Sequence, residues 1–330
     1  MSSNPTKADF VVKKRFAIDE LIPLFIFIGL YILFASFSST FLKPMTIQLI
    51  LQQNAAVGII AIAMMCIIIT GALDFTVGET VALAGITATK IYMYAGEHLI
   101  LMILFAIAVG MLVGLVNGLI VTKLRIKAFI ATLATMSIIK GLTMIIGEAA
   151  SPVLSKQDVI FIGAGNVFGF LPMPFVLLIL MIVITTYILN KTRTGLYWYA
   201  IGGNEEAARQ AGINIDKYKI RVHMYAGICA AIASLIIVSR IRTIVPNISG
   251  TLLLDGAAAA IIGGTSVSGG KGKIFGTIAG VFIIALISTA LTFFNVPSVF
   301  QAAVKGGFIL VSLLINSTVG RISEKRRLEQ

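Results

Sequence analysis

Long apolar stretches recur along almost the whole chain and are separated by short polar intervals. A membrane helix needs about 20 mostly apolar residues, and about ten segments approach this length. Two of them, 55–71 and 254–267, are short, so they are expected to be broken or re-entrant helices. The pattern predicts an all-α, polytopic transmembrane helical bundle of about 10 spans, with a range of 8–10. The segments are 21–37, 55–71, 76–95, 99–121, 128–147, 173–190, 222–239, 254–267, 274–294 and 298–317.

The composition agrees with a chain that is embedded in lipid. Its 330 residues are 58% hydrophobic and only 12% charged, with a mean hydropathy of +1.00. A soluble domain carries about 25% charged residues because its surface needs them. A water-soluble globular enzyme, a disordered protein and a nucleic-acid-binding protein are therefore disfavoured, despite the net charge of +12.

The basic residues predict the orientation of the bundle. Most of the 26 lysines and arginines fall in intervals that share one side if the N-terminus is cytoplasmic, and the positive-inside rule then puts both termini in the cytoplasm. The same residues suit anionic lipid head groups, so no nucleic acid is needed to explain them. Without a cleavage site, the segment 21–37 is expected to stay as an anchor. The expected organisation is a tail at 1–20, a transmembrane domain at 21–318 with a cytoplasmic loop at 191–221, and a tail at 319–330.

Cysteine and histidine residues indicate neither a disulfide framework nor a metal site. Cys66 and Cys229 lie in the middle of predicted spans, where isolated thiols imply neither feature. His98 and His223 lie at span edges without a second ligand at metal-binding spacing. We therefore expect both histidines to be ordinary interfacial side chains and expect no metal site.

Motifs for catalysis and nucleotide hydrolysis are also missing. The glycine-rich segment 264–271 ends in lysine, but a phosphate-binding loop needs glycine where Thr265 stands and serine or threonine where Gly272 stands. No Gly-x-Ser-x-Gly, His-Glu-x-x-His or Ser-His-Asp set can be assembled, so an intramembrane enzyme has no support. The chain is predicted not to be an enzyme, and transport is the remaining class of function.

Two glycine-rich interruptions indicate where a transport pathway would lie. We call residues 69–79 the first break and residues 261–270 the second break. Each has an apolar run, small residues, threonine or serine before valine, then glycine, although a chance likeness between two small-residue turns is the alternative. Paired breaks in the two halves of a transporter point to a central site, because unwound backbone at membrane depth must line a cavity or lie within protein.

Two acidic residues sharpen the prediction for the first break. An ionisable group inside a span costs a few kcal/mol, so Asp74 and Glu79 are expected to face a water-filled route or a partner. The alternative for Asp74 is helix capping, with its carboxylate accepting from the amides of Val77 or Gly78. The candidate pathway-lining residues are Asp74, Phe75, Thr76, Glu79, Gly263, Gly264, Thr265 and Ser266.

Two lysines also lie within apolar segments. Lys140 and Lys305 are each followed by glycine. A lysine in such a position either pairs with an acidic residue or extends its ammonium group towards the head groups. The sequence leaves these two alternatives open.

The predicted cytoplasmic loop contains a short helix. Asn204 is a suitable N-cap, Glu205 and Glu206 suit the positive end of a helix, and Gly212 is a suitable stop. A helix of about two turns is marginal alone in water, so either the rest of the protein or a docked partner must hold it. A solvated connector is the alternative interpretation.

Several motifs together resemble those of the permease subunit of bacterial ribose-type sugar ATP-binding-cassette (ABC) importers. The resemblance covers about 21–315, in the expected order. It rests on Gly-x-x-Asp-x-Thr-Val-Gly at 71–78, Asn117-Gly118, Lys123-Leu124-Arg125-Ile126, Phe129-Ile130-Ala131-Thr132-Leu133, the segment 200–214, Ala259, Ile261, 263–266 and 268–272. The family usually has leucine and serine at the positions of Phe75 and Thr76, and a small or apolar residue at that of Glu79. These departures leave the substrate open.

The resemblance implies a subunit that works in a larger assembly. The partners would be a second permease subunit, identical or different, two cytoplasmic ATPase domains and an extracytoplasmic sugar-binding protein, in the bacterial inner membrane and its lipid. ATP and Mg²⁺ would be bound by the ATPase, with no cofactor on this chain and no nucleic acid. The residues 202–212, which we call the coupling segment, would contact the ATPase. By this analogy the contact residues are Gly202, Gly203, Asn204, Glu205, Glu206, Ala207, Ala208, Arg209 and Gly212.

The cargo and the energy source have alternatives. A neutral sugar fits a route with few charges, and the resemblance implies a ribose-like monosaccharide. A nucleoside or a sugar-like signalling molecule would leave a similar sequence, because the binding protein selects the cargo. A proton-coupled secondary transporter that uses Asp74 and Glu79 is the alternative from another class.

Overall fold

The protein folds as a bundle of helices with one small hairpin. The computed structural model describes residues 22–147, 153–243, 251–297, 300–301, 303–307 and 310. A 3₁₀-helix, Ser39–Leu42, follows α1, and the strands β1 (Asn166–Val167) and β2 (Leu171–Pro172) pair antiparallel. The α-helices are α1 (Ile22–Phe37), α2 (Pro44–Ile69), α3 (Thr76–Tyr94), α4 (Leu99–Lys123), α5 (Ala128–Gly147), α6 (Gln157–Ala164), α7 (Met173–Lys191), α8 (Arg193–Gly203), α9 (Glu205–Gln210), α10 (Ile215–Ile241), α11 (Leu252–Ile262) and α12 (Ile274–Phe293).

Six of the described helices are long and apolar enough to cross a membrane, namely α2, α4, α5, α7, α10 and α12. The expectation of a helical membrane bundle is therefore confirmed. The predicted total of about 10 spans remains a prediction. The tails at 1–20 and 319–330 lie outside the described residues, as does most of the predicted span 298–317.

Helix α2 is much longer than the pattern predicts. It begins at Pro44, which suits the first turn of a helix, and not at the predicted position 55. The polar side chains in its first half have partners on the hairpin and α6: the Gln48 amide donates to the Asn166 side chain at 2.9 Å, and the Gln52 amide donates to the Gly163 carbonyl at 3.2 Å. Since these groups are satisfied, they do not end the helix.

The predicted loop at 191–221 is mostly helical. Helix α8 starts directly after α7, with the Thr192 hydroxyl accepting from the amide of Gly195. Helix α10 starts at Ile215 and not at the predicted 222, with the Asn214 side chain accepting from the amide of Lys217 at 3.0 Å. Capping by threonine and asparagine therefore sets both helix starts.

Helix α10 lies at the centre of the bundle and packs closely on α4. Gly110, Gly114 and Gly118 form a ridge of small residues along α4, and a Cβ atom on Gly110 or Gly114 would collide with the backbone of α10 at Gly227 or His223. Glycines spaced by four residues let two membrane helices approach to backbone contact. This contact fixes α10 against the layer formed by α4 and α3.

The loops gather at two ends of the bundle. One end, which we call the coupling end, contains 70–75, 124–127, 192–214 and 263–273, and Lys123 pairs there with Asp216 at 3.1 Å. The other end, which we call the opposite end, contains the hairpin and a pair between Lys156 and Glu97 at 3.0 Å. The hydrogen bond from the Lys156 ammonium group to Glu97 raises the pKa of Lys156. The same end holds a hydrogen bond from the Leu154 amide to the Arg242 carbonyl at 2.8 Å.

Candidate functional site

The two breaks lie against each other at the coupling end. The amide of Gly270 donates to the carbonyl of Ile69 at 2.8 Å. Gly71, Gly269 and Gly270 have φ values of 76°, 85° and 72°, in the left-handed region that favours glycine. The two breaks, which are similar in sequence, therefore also pack together in the structure.

The coupling segment closes this junction through Gly202. A Cβ atom on Gly202 would collide with the carbonyl of Ile69 and would lie 2.7 Å from the amide of Gly270. We call Gly71, Gly202, Gly269 and Gly270 the glycine junction. The coupling segment is thus in direct backbone contact with both breaks, so a displacement of one has to move or separate the others.

Tyr199 adds a polar link between α8 and the chain after the second break. Its hydroxyl donates to the carbonyl of Gly272 at 2.7 Å. Burial raises the pKa of Tyr199 to about 12, so the phenol stays protonated and remains a donor near neutral pH.

The short helix in the coupling segment forms as the sequence predicts. Helix α9 covers Glu205–Gln210, the Asn204 side chain accepts from the amide of Ala207 at 3.0 Å, and Gly212 ends it with a φ of 80°. Ala208 is buried with Ile201 and Ile215 on one side. The contact of α9 with the bundle explains how so short a helix is held.

The other side of the coupling segment is exposed. Glu205 is held from within the chain, at 2.6 Å from Lys219 and 3.2 Å from Arg209. The side chain of Glu206 is 70% exposed and has a longer contact of 3.7 Å with Arg209, an exposed pair that contributes little to stability. The exposed residues of the segment are Gly203, Asn204, Glu206, Ala207, Arg209, Gln210, Ala211 and Gly212. This surface is available to a partner protein.

Asp74 lies in a buried polar network and not at an open surface. Its carboxylate accepts from the Thr76 amide at 2.8 Å and from the Thr76 hydroxyl, so the predicted capping of Val77 or Gly78 is replaced by a tighter turn at Thr76. The Asn117 amide donates to the Thr76 hydroxyl at 2.7 Å, and the Thr135 hydroxyl donates to Asn117 at 2.7 Å. The network connects α3, α4 and α5.

His223 is the functional candidate that the sequence analysis missed. It is 1% exposed and not interfacial, and its Nδ1 lies 2.7 Å from a carboxylate oxygen of Asp74. A carboxylate only accepts, so Nδ1 carries the proton. Ionisable groups inside a membrane bundle pair with one another, so the sequence could have indicated that Asp74 needs a basic partner. It could not indicate which basic residue that partner is.

The remaining pathway candidates are mostly enclosed. The Phe75 amide donates to the Thr132 hydroxyl at 3.2 Å. Glu79 is 8% exposed, and one of its carboxylate oxygens has no hydrogen-bond partner within the described part of the chain. In the second break, Gly263 and Thr265 are buried, Ser266 is partly buried and Gly264 is exposed. Their role in lining a pathway remains a prediction.

The two intramembrane lysines differ in their surroundings. Lys305 lies 3.1 Å from a carboxylate oxygen of Asp255, so it pairs α11 with the helical residues 303–307. Lys140 is exposed on α5, and the glycine beside it, Gly141, has open space where a Cβ would stand. Pairing, one of the two predicted alternatives, is thus observed for Lys305.

The two cysteines, Cys66 and Cys229, are free and buried. Within the described ranges, no group of three or more His, Cys, Asp and Glu residues is placed to hold a metal ion.

Comparisons with known proteins give a consistent assignment. The family described as "Branched-chain amino acid transport system / permease component" matches residues 46–313. The chain is similar to the ribose import permease protein RbsC of Bacillus subtilis, with 37% identity over 88% of this chain and 91% of that protein. It is 36% identical to RbsC of Escherichia coli K12, over 81% of this chain and 84% of that protein. It is 33% identical to the L-arabinose transport system permease protein AraH of the same strain, over 96% and 97% of the two chains.

No solved structure gives a significant match. The family match spans both breaks, the coupling segment and every described helix from α3 to α12. The resemblance to ribose-type permeases that the motifs indicated is confirmed by the relatives. The chain is a multi-pass membrane protein and belongs to the family of permease components typified by the branched-chain amino acid transport system.

Proposed function

We propose that this chain is the membrane permease subunit of an ABC importer and forms the route for a ribose-like monosaccharide. The observation that carries the proposal is the contact of Gly202, at the end of α8, with both breaks, directly before the exposed, capped helix α9. That arrangement suits a subunit in which a partner outside the membrane displaces the coupling segment, and this displacement moves the helix ends at the two breaks. The similarity to proteins named as ribose and L-arabinose permeases supports a sugar as cargo.

The energy source in this proposal is a separate ATPase. Two cytoplasmic ATPase domains bind ATP and Mg²⁺ and dock on the coupling segment, which offers the exposed side of α9. Closure of the ATPase pair displaces the coupling segment, and the glycine junction transmits this displacement to both breaks. The chain itself only binds and transmits, so it needs no nucleotide site and is not an enzyme.

The coupling end faces the cytoplasm in this proposal, with both termini on that side and about 10 spans in the bacterial inner membrane. Basic residues favour the cytoplasmic side of a membrane. The opposite end carries Lys43, Lys90, Lys156, Arg240 and Arg242. The coupling end carries more of them: Lys123, Arg125, Lys127, Lys191, Arg193, Arg209, Lys217, Lys219, Arg221, Lys271 and Lys273.

Two further partners complete the proposed assembly. An extracytoplasmic sugar-binding protein delivers cargo to the opposite end, where the hairpin and the Lys156–Glu97 pair lie. A second permease subunit, identical to this chain or different, completes the pore. Since the binding protein supplies affinity, the membrane route needs few polar contacts, in agreement with the enclosed state of Asp74 and Thr76.

Uptake by reconstituted vesicles tests the proposal. The chain is assembled with its ATPase and its binding protein, and uptake of radiolabelled ribose, arabinose and a nucleoside is followed with ATP on the cytoplasmic side. The proposal predicts uptake of a pentose that requires ATP. Uptake driven by a pH gradient without ATP would instead identify a proton-coupled transporter, and ATP-dependent uptake of the nucleoside alone would correct the cargo.

A further inference from the structure

Helix α8 and the coupling segment are together connected to α10 by three contacts close to the start of α10. The Lys219 ammonium lies 2.6 Å from the Glu205 carboxylate. The Trp198 indole donates to the Tyr218 carbonyl at 3.0 Å. The apolar cluster of Ala208, Ile201 and Ile215 lies beside them. Because these contacts are ionic, hydrogen-bonded and apolar at once, the coupling segment and the first turns of α10 move together.

Helix α10 then runs without interruption over 27 residues, Ile215–Ile241. A regular helix of this length transmits displacement as a stiff element, because every residue is held by its neighbours through backbone hydrogen bonds. His223 lies on this helix about two turns from its start, with its side chain fully enclosed.

His223 contacts the first break at a point where the break is itself organised. Asp74 joins the His223 imidazole to the Thr76 amide and hydroxyl at the first residue of α3. A few residues earlier, the Ile69 carbonyl receives the Gly270 amide of the second break. The first break is thus held by α10 on one side and by the second break on the other.

From these contacts we infer that His223 is a positioning residue, which holds the first break to α10 through Asp74 and so carries displacement of the coupling segment into the membrane. The inference rests on the proposed ABC importer function. A directional hydrogen bond between buried groups resists sliding more than apolar contact does. The hydrogen bond therefore makes α10 and the start of α3 respond as one unit, in parallel with the glycine junction.

The test compares variants of His223 in the assembled transporter. His223→Ala and His223→Leu both remove the donor to Asp74, and the leucine variant keeps the space filled. His223→Asn places an amide nitrogen close to the position of Nδ1. The control is Tyr225→Phe on the same helix, which removes a partly buried hydrogen bond to Thr185 on α7 that does not reach either break. Ribose uptake and phosphate release are measured in the same vesicles.

We expect the alanine and leucine variants to hydrolyse ATP but to lose about tenfold in ribose taken up per ATP, the size of effect found between linked sites. The asparagine variant should retain most of the ribose taken up per ATP, and Tyr225→Phe should have the same ratio of ribose to ATP as the unmodified chain. If His223→Ala does not accumulate in the membrane, the inference is tested by comparing the leucine and asparagine variants. An unchanged ratio for leucine, equal losses for leucine and asparagine, or an equal loss for Tyr225→Phe overturns the inference.

A failure of the proposed function is recognised separately. If the unmodified chain shows no ATP-dependent uptake of ribose, arabinose or the nucleoside, the importer function is wrong whatever the variants do. If it takes up only one of the other two solutes, that solute replaces ribose in the measured ratio. Hydrogen exchange of the purified full chain then tests the link itself. Residues 70–76 should exchange faster in His223→Leu than in Tyr225→Phe, and equal exchange in the two variants overturns the link.

Discussion

The carboxylate of Asp74 and the imidazole of His223 lie 2.7 Å apart in the interior of the bundle, although 149 residues separate them in the chain. One residue stands in the interruption between α2 and α3, and the other stands on the helix that follows the coupling segment. This pair, the glycine junction and the exposed side of α9 form one connected set at the coupling end. The predictions below test its parts.

Gly202 should accept no larger residue. Gly202→Ala places a Cβ on the Ile69 carbonyl, and overpacking of this kind costs about 1–3 kcal/mol. We expect reduced accumulation in the membrane and loss of ribose uptake. The adjacent Gly203 is the matched control, because a Cβ there has no neighbour within 4 Å. Immunoblots of membranes and vesicle uptake measure both effects, and equal behaviour of the two variants contradicts the tight contact.

Glu206 should act in docking and not in folding. Glu206→Lys reverses an exposed charge, so the chain should reach the membrane normally but retain less ATPase when the complex is purified. Glu205→Lys should also disturb the chain itself, because the new lysine faces Lys219 and Arg209. Glu97→Lys at the opposite end is the control. Full retention of the ATPase by Glu206→Lys would argue against docking at this surface.

Asn117 should stabilise the bundle by joining three helices. Asn117→Leu keeps a similar volume but removes the hydrogen bonds to Thr76 and Thr135, and we expect a loss of about 1–3 kcal/mol in the free energy of unfolding. Thr143→Val on α5 is the control, since the Thr143 hydroxyl donates to the Ile139 carbonyl of its own helix. Thermal unfolding of the purified chains in one detergent measures the difference. Equal midpoints would show that the network contributes little.

Lys140 should be reachable from water. A lysine at the middle of a helix is costly in lipid, so its exposed side should face an aqueous route or a second subunit. Lys140→Cys should therefore react with a small, charged thiol reagent in the assembled transporter. Cys66 and Cys229 are buried and give little background, and Ile139→Cys, at a position 5% exposed, is the unreactive control. No labelling at position 140 would exclude an aqueous route here and place this side of α5 against lipid or against a second subunit.

Several elements could be predicted from the sequence because their signals are local. Within the part of the chain that the structure describes, the apolar segments correspond to helices. Asn204 and Gly212 bound α9, and the glycines of the two breaks mark real interruptions. Each of these depends on neighbouring residues: hydrophobic length, a capping side chain or a positive φ. Local signals of this kind are present in the sequence before any contact between distant segments is known.

Other features could not be predicted because their causes are distant in the chain. The start of α2 at Pro44 depends on the hairpin and α6, which supply partners to Gln48 and Gln52. The pairing of Lys305 with Asp255 was one of two alternatives, and only the approach of residues 303–307 to α11 decides between them.

By itself, the sequence determined that this is a lipid-embedded helical protein with two interruptions and a capped helix between its membrane segments, since these follow from composition and short-range chemistry. The resemblance of its motifs to those of known permeases indicated the family. Only the tertiary structure decided that the interruptions touch, that Gly202 closes their junction, and that His223 is the partner of Asp74. Contacts of this kind depend on how helices pack, and many packings satisfy the same hydrophobic pattern. The close approach of α10 to α4 along Gly110, Gly114 and Gly118 selects one of them and buries His223 beside the first break.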